Sequence, residues 1–183
     1  MSSEVKVTLP DGSSLPVEAN SSIYEIAGKI GKKLQKAALV AAVNERPVDL
    51  SFRLEGDSGL TLFTFASPEG KDAFWHSASH LMAQAVKRLF PAAKLAIGPA
   101  IENGFYYDFE VERNFTPEDL AKIEAEMAKI VAEDIEIVRE EMPRRKAMDY
   151  FSSIGESYKV ELLEDLPDGA VSLYRQGDFA DLC

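Results

Sequence analysis

The 183 residues hold 20 Lys/Arg against 31 Asp/Glu, a formal net charge of −11, with 46% hydrophobic and 28% charged residues. That balance suits a globular chain with one good core or two small ones, and it argues against a general nucleic-acid-binding surface. No apolar run reaches the ~20 residues of a membrane span, and the single cysteine, Cys183, excludes an internal disulfide framework.

The opening Met1-Ser2-Ser3-Glu4 has neither the basic patch nor the apolar stretch of a secretory signal, so a cytoplasmic protein is expected. Residues 5–9 alternate with β-branched side chains and read as a strand. Pro10-Asp11-Gly12-Ser13 is a turn, because proline presets φ and glycine accepts positive φ. Residues 15–18 return as a second strand. Asn20, Ser21 and Ser22 offer caps to a helix reaching residue 34, with Ile23, Ile26, Ala27, Ile30 and Leu34 on one face. Short strands follow over residues 39–43, 47–48 and 60–65. This β-β-α-β-β order predicts a ubiquitin-like β-grasp fold. Lys29, Lys32, Lys33 and Lys36 share helical spacing on or near that helix and can meet phosphate or form a solvated face.

Ala66-Ser67-Pro68-Glu69-Gly70 breaks the pattern, so residues 67–71 are expected as a linker. A helix over residues 72–89 is stopped by Pro91. Residues 95–101 and 105–111 read as strands joined by Glu102-Asn103-Gly104. Thr116-Pro117-Glu118-Asp119 starts a helix reaching residue 133: threonine caps, proline takes the first position and the acids favour the positive end. Residues 135–141 form a strand, and a helix from Pro143 runs to residue 154. Residues 158–163 are ambiguous, and residues 171–174 form a strand. The second domain is therefore α+β with a largely antiparallel sheet. The charge is uneven: residues 1–66 hold 7 Lys/Arg and 8 Asp/Glu, residues 67–183 hold 13 and 23.

His76 and His80, the only two histidines, sit four apart on one predicted helix. That spacing puts both imidazoles on one face, able to hold a metal ion or a substrate group. The plainer alternative is one capping histidine and one surface histidine. With Cys183 they make three ligands suited to zinc, one short of a closed tetrahedral set. Lys159 and Asp181 read, by themselves, as surface residues. Tyr106 and Tyr107 alternate, so one belongs to the core and the other can face a cleft.

Four ordered segments carry a resemblance: His76 through Met82, Ala96 through Asp108, Gly155 through Val160, and Asp181-Leu182-Cys183. Together they resemble the landmarks of the threonyl-tRNA synthetase editing domain. Residues 1–66, with Leu9-Pro10-Asp11-Gly12, resemble the TGS module that precedes it. The resemblance implies a β-grasp TGS domain over 1–66, a linker over 67–71, and an editing domain over 72–183. The family pattern continues Cys-x-x-x-His, whereas this chain stops at Cys183, so a domain truncated at its C-terminus is expected.

The resemblance implies hydrolysis of mischarged Ser-tRNA(Thr), within a parent that ligates threonine to tRNA(Thr) with ATP. One methyl gives a synthetic site only ~1–3 kcal/mol of discrimination, which a second, hydrolytic site can repair. By resemblance the catalytic set is His76, His80, Lys159, Asp181 and Cys183. A histidine would handle the proton, Lys159 would hold the terminal ribose or phosphate or stabilise negative charge, and Asp181 would bind the serine ammonium or orient water. Tyr106, Tyr107, Gly98 and Pro99 would contact substrate. No cofactor is expected here; ATP, magnesium and zinc would belong to the synthetic core, and a metal on His76, His80 and Cys183 is not favoured. The implied partners are the tRNA(Thr) acceptor end and the remainder of the synthetase. The parent would be a homodimer, this chain a monomer, and no membrane is involved. Two other readings stay open: a tRNA- or regulator-binding module with an inactive editing fold, and a zinc-dependent aminoacyl-tRNA deacylase of the alanyl type.

Overall fold

The computed structural model describes residues 4–183; Met1-Ser2-Ser3 of the opening segment lie outside them. The chain divides into two compact units, Met1–Trp75 and His76–Cys183.

In the first unit, strand β1 (Glu4–Thr8) buries Val5 and Val7 and exposes the residues between them, the alternation that a one-sided sheet requires. It pairs antiparallel with β2 (Ser14–Glu18). The turn is closed by bonds from Leu9 N to Ser13 O and from Gly12 N to Leu9 O. After β3 (Ser21–Ser22), helix α1 (Ile23–Ile30) starts on a capping box: the Ser22 hydroxyl accepts from Glu25 N while the Glu25 carboxylate accepts from Ser22 N. The single helix expected to residue 34 is instead two. Gly31 adopts extended backbone and separates α1 from α2 (Lys32–Ala37).

Strands β4 (Ala38–Val43), β5 (Arg46–Val48), β6 (Arg53–Leu54) and β7 (Ser58–Thr64) complete the unit. The main sheet has the order β2-β1-β7-β4-β5, with β1 parallel to β7 and the other pairs antiparallel, while β3 pairs with β6. Helix α1 lays Ile23 and Ile26 against Val5, Val7, Val17, Ala41 and Leu60 of the sheet. This is the β-grasp arrangement that the strand order predicts.

Helix α3 (Pro68–Leu89) begins four residues earlier than expected, so residues 68–71 are helical rather than linker. The reason is local: the Ser67 hydroxyl accepts from Gly70 N, and Lys71 N donates to Ser67 O. Gly70 is needed because a Cβ there would stand 1.9 Å from the Thr64 carbonyl oxygen.

In the second unit, β8 (Lys94–Leu95), β9 (Ala100–Ile101), β10 (Gly104–Phe105) and β11 (Phe109–Glu110) form the expected hairpin in two short pieces, β9 with β10 and β8 with β11. Between them Ala96 and Asp108 keep the ladder going through Ala96 N to Asp108 O and Asp108 N to Ile97 O. Helix α4 (Pro117–Ala132) carries the Thr116/Asp119 capping box. Then come β12 (Ile137–Pro143), α5 (Arg144–Ser153), α6 (Ser157–Glu164), β13 (Ala170–Gln176) and β14 (Phe179–Leu182). The ambiguous segment is thus helix α6.

The sheet β12-β13-β14 is antiparallel throughout. Ala180 and Leu182 of β14 pack with Ala147, Phe151, Leu163 and Leu173. Period-2 alternation sends Phe179 and Asp181 to the opposite face, where Phe179 packs on Ala83, Leu95 and Tyr107.

Candidate functional site

Three elements and one connecting loop supply the site. Helix α3 presents His76 and His80 one turn apart, with ring centroids 4.6 Å from each other. The loop before β11 supplies Tyr107, α6 supplies Lys159, and β14 supplies Asp181. Asp181 is 1% exposed and Lys159 3%, so neither is the surface residue that composition suggests. A charge buried this deeply must be paired. Lys159 Nζ lies 2.7 Å from Asp181 Oδ1 and donates to the Tyr107 hydroxyl at 3.1 Å. Tyr107 in turn donates to Asp181 Oδ2 at 2.6 Å, and Leu182 N donates to Asp181 Oδ1 at 2.8 Å. His80 Nε2 stands 3.7 Å from Asp181 Oδ2.

Burial takes the His80 imidazole from its ordinary value near 6.5 down to about 4, a shift that the Asp181 carboxylate partly offsets and that the neighbouring His76 and Lys159 reinforce. His80 is therefore neutral at pH 7. Burial, with Asp181 beside it, pushes the Tyr107 phenol well above its usual range, so Tyr107 remains a hydrogen-bond donor.

Cys183 is exposed, with its Sγ 3.6 Å from His76 Nε2. Its backbone is held as a continuation of β14: Cys183 N donates to Ser172 O, and the Ser172 hydroxyl donates to Cys183 O at 2.7 Å. The two tyrosines divide into one inner and one outer, and it is the inner one that touches Asp181 and Lys159: Tyr107 is 8% exposed and Tyr106 47%. Gly98 acts by absence. A Cβ there would stand 2.1 Å from the Tyr107 ring, so only glycine allows the loop to lie against it. Pro99 follows in the same loop and is half-buried.

Sequence reasoning missed Ser79 and Glu156. The Ser79 hydroxyl lies 2.8 Å from both the His76 and the Gly98 carbonyl oxygens, and it can donate to one at a time. Its position three residues after His76 is the signal that would have found it. Glu156, 2% exposed, had no local signal, since its partners lie about 60 residues away. Among the described residues, no group of three or more His, Cys, Asp or Glu side chains converges as a metal site, and no helix is long and apolar enough to cross a membrane.

Residues 5–64 match the family of the TGS domain. Over its whole length the chain is 55% identical to the threonine–tRNA ligase of Symbiobacterium thermophilum, covering 28% of that protein. It is 51% identical over 98% of its length to that of Citrifermentans bemidjiense, and 52% over 98% to that of Acetivibrio thermocellus, again covering 28% of each. The chain is a relative of the amino-terminal part of threonyl-tRNA synthetases. It spans about 28% of the length of these threonine–tRNA ligases. Residues 1–66, read as a TGS module in the sequence, contain the matched TGS domain. The buried cluster around Asp181 lies beyond that match and within the span shared with the ligases.

Proposed function

We propose that the second unit hydrolyses the ester linking serine to tRNA(Thr), removing the amino acid that a threonine-specific ligase mistakes for its own. The observation that carries this reading is the convergence of Tyr107, Lys159 and His80 on one buried carboxylate, Asp181. His76 and the Cys183 thiol stand at its open side. Ester hydrolysis requires a proton acceptor for the attacking water and positive potential for the oxyanion that forms. A histidine neutral at pH 7 supplies the first. The Lys159 ammonium supplies the second.

In the proposed reaction, water adds to the seryl carbonyl carbon while its proton passes to His80. The carbonyl electron pair moves onto oxygen under the influence of Lys159. Collapse of that adduct breaks the bond to the terminal ribose oxygen, which takes the proton back from His80. Free serine and a tRNA hydroxyl result. Asp181 has both oxygens engaged, so its role here is to orient Lys159, Tyr107 and His80 rather than to bind the serine ammonium. Lys159, held by Asp181 and Tyr107 beside His80, is assigned in this proposal to the oxyanion rather than to the tRNA backbone. A frame held by direct hydrogen bonds resists displacement, as a steric filter against one extra methyl requires. The reaction draws on the chain's own side chains alone, without a metal.

In this proposal tRNA(Thr) is the partner, and the exposed Lys29, Lys32, Lys33 and Lys36 add phosphate contacts. The proposal assigns ligation of threonine to the part of the ligases outside the matched 28%. The test is incubation of the chain with Ser-tRNA(Thr) and Thr-tRNA(Thr), with His80→Ala and Lys159→Met alongside. Release of serine well above that of threonine, reduced about 10²–10⁴-fold in His80→Ala, is expected. Equal release of both amino acids, or no loss in either variant, would refute the reaction.

A further inference from the structure

Glu156 is a buried carboxylate, 2% exposed, that touches none of the groups to which the proposed chemistry is assigned. Its Oε2 accepts from Leu95 N at 2.8 Å, and its Oε1 lies 2.7 Å from Lys87 Nζ. The same ammonium donates to Pro91 O at 3.0 Å and Ala93 O at 2.8 Å. One ion pair thereby joins the end of α3, the loop after it, β8 and the start of α6.

Glu156 is the residue before α6, yet its side chain caps none of that helix's own N–H groups. A capping role would have stabilised α6 locally. Aimed outward, the carboxylate instead ties α6 to other elements. The helix has reason to need the tie. It has eight residues and buries only Lys159 and Leu163, and helices this short do not hold themselves in water. Leu163 fixes its later turn in the α5/β13/β14 core. The earlier turn, which carries Lys159, is fixed at Glu156, whose carbonyl accepts from Lys159 N at 3.1 Å.

Helix α3 bears both His80 and Lys87, seven residues apart, which is about two turns and roughly 10.5 Å along a rigid rod. From these placements we infer that the Lys87–Glu156 pair is a positioning device that sets Lys159 against Asp181 and His80 by clamping α6 to the helix that carries His80. A buried ion pair is a poor choice for bulk stability, since apolar side chains of similar volume serve as well or better. A pair that fixes one geometry is a better account of its placement between these elements.

The inference rests on the proposed hydrolysis for its purpose, but its test is independent of that activity. The ammonium of Lys159, 4% exposed on its side chain, exchanges its protons with water only when the site opens. Heteronuclear NMR of the full chain reads that exchange. In Glu156→Gln, which keeps an acceptor for Leu95 N but discharges the pair, exchange at Lys159 should accelerate by about 10-fold or more. Lys87→Met, altered at a position with a quarter of its side chain exposed, should act alike and keeps the test available if Glu156→Gln fails to fold. The double variant should add little to either single change. Ile130→Val, a cavity in the α3/α4 core giving a comparable loss in Tm, should leave Lys159 exchange unchanged. Unchanged exchange in both clamp variants, or equal acceleration in Ile130→Val, would overturn the inference. Deacylation assays on the same proteins separate the two ideas. A wild-type chain without serine release counts against the proposed hydrolysis and leaves the clamp to be judged by exchange. With release present, the clamp variants should lower kcat with KM little changed.

Discussion

Acid should weaken this fold through His80 in particular. Its imidazole titrates near 6.5 when unfolded and near 4 when folded, chiefly because burial disfavours the charged form. Between those values the unfolded chain binds the proton and the folded one does not, so stability rises with pH in that window. The contribution is fully present above about pH 6.5 and is lost as the pH falls towards 4. With one proton and these two values, lowering the pH from 7 to 5 should cost ~2 kcal/mol. His80 has only 13% of its side chain exposed, so solvent screening removes little of this. The measurement is urea unfolding at both pH values, for the wild type and for His80→Gln. Carboxylates with lowered pKa, such as Glu126 and Glu133, contribute equally to both proteins and cancel. The wild type should lose ~2 kcal/mol more than the variant over that interval. Equal losses would show that His80 is not held neutral by burial, and the role of proton acceptor at neutral pH would lose its physical basis.

Gly98→Ala should push the Tyr107 ring off Asp181, since no 2.1 Å approach can be kept; a loss of ~1–3 kcal/mol is expected in denaturant unfolding, together with reduced serine release. Breaking the buried pair with Lys159→Met should cost ~3–5 kcal/mol by leaving Asp181 uncompensated, and the Lys159→Met/Asp181→Asn double variant should be more stable than the additive sum. Replacing Lys32 and Lys36 by Gln should weaken tRNA binding and reduce the slope of log K against log salt by about 1 for each phosphate no longer neutralised; an unchanged slope would return these lysines to a plain solvated face. Elemental analysis of the purified chain should find substoichiometric metal, whereas one zinc per chain would revive the deacylase of the alanyl type.

The β-grasp unit was legible because its signals are local: the Val5/Val7 alternation, the Pro10–Gly12 turn and the Ser22 cap each act within a few residues. The break at Gly31 and the two-residue strands β3 and β6 escaped, because Gly31 takes ordinary extended backbone and strands of two residues are too short to show alternation. In the second unit the paired histidines were legible for the same reason. Lys159 and Asp181 were not readable from their neighbourhoods, because their burial depends on each other across 22 positions and on Tyr107 across 52 and 74. Only the resemblance singled them out. Strand β14 was missed altogether: Phe179–Leu182 is four residues long and mixes apolar with acidic side chains. Its strand character comes from pairing with β13 rather than from propensity.

That short strand also limits how this chain can vary in length. Asp181 and its neighbours Ala180 and Leu182 occupy opposite faces of one ribbon. Inserting or deleting a single residue in the Gly177-Asp178 bend would move β14 by one place against β13 and exchange those faces. The carboxylate would enter the apolar layer beneath α5 and α6, and a methyl or an isobutyl group would confront Lys159. Loops are usually where a protein tolerates insertions and deletions, but this bend is held to its residue count by the chemistry of the strand after it.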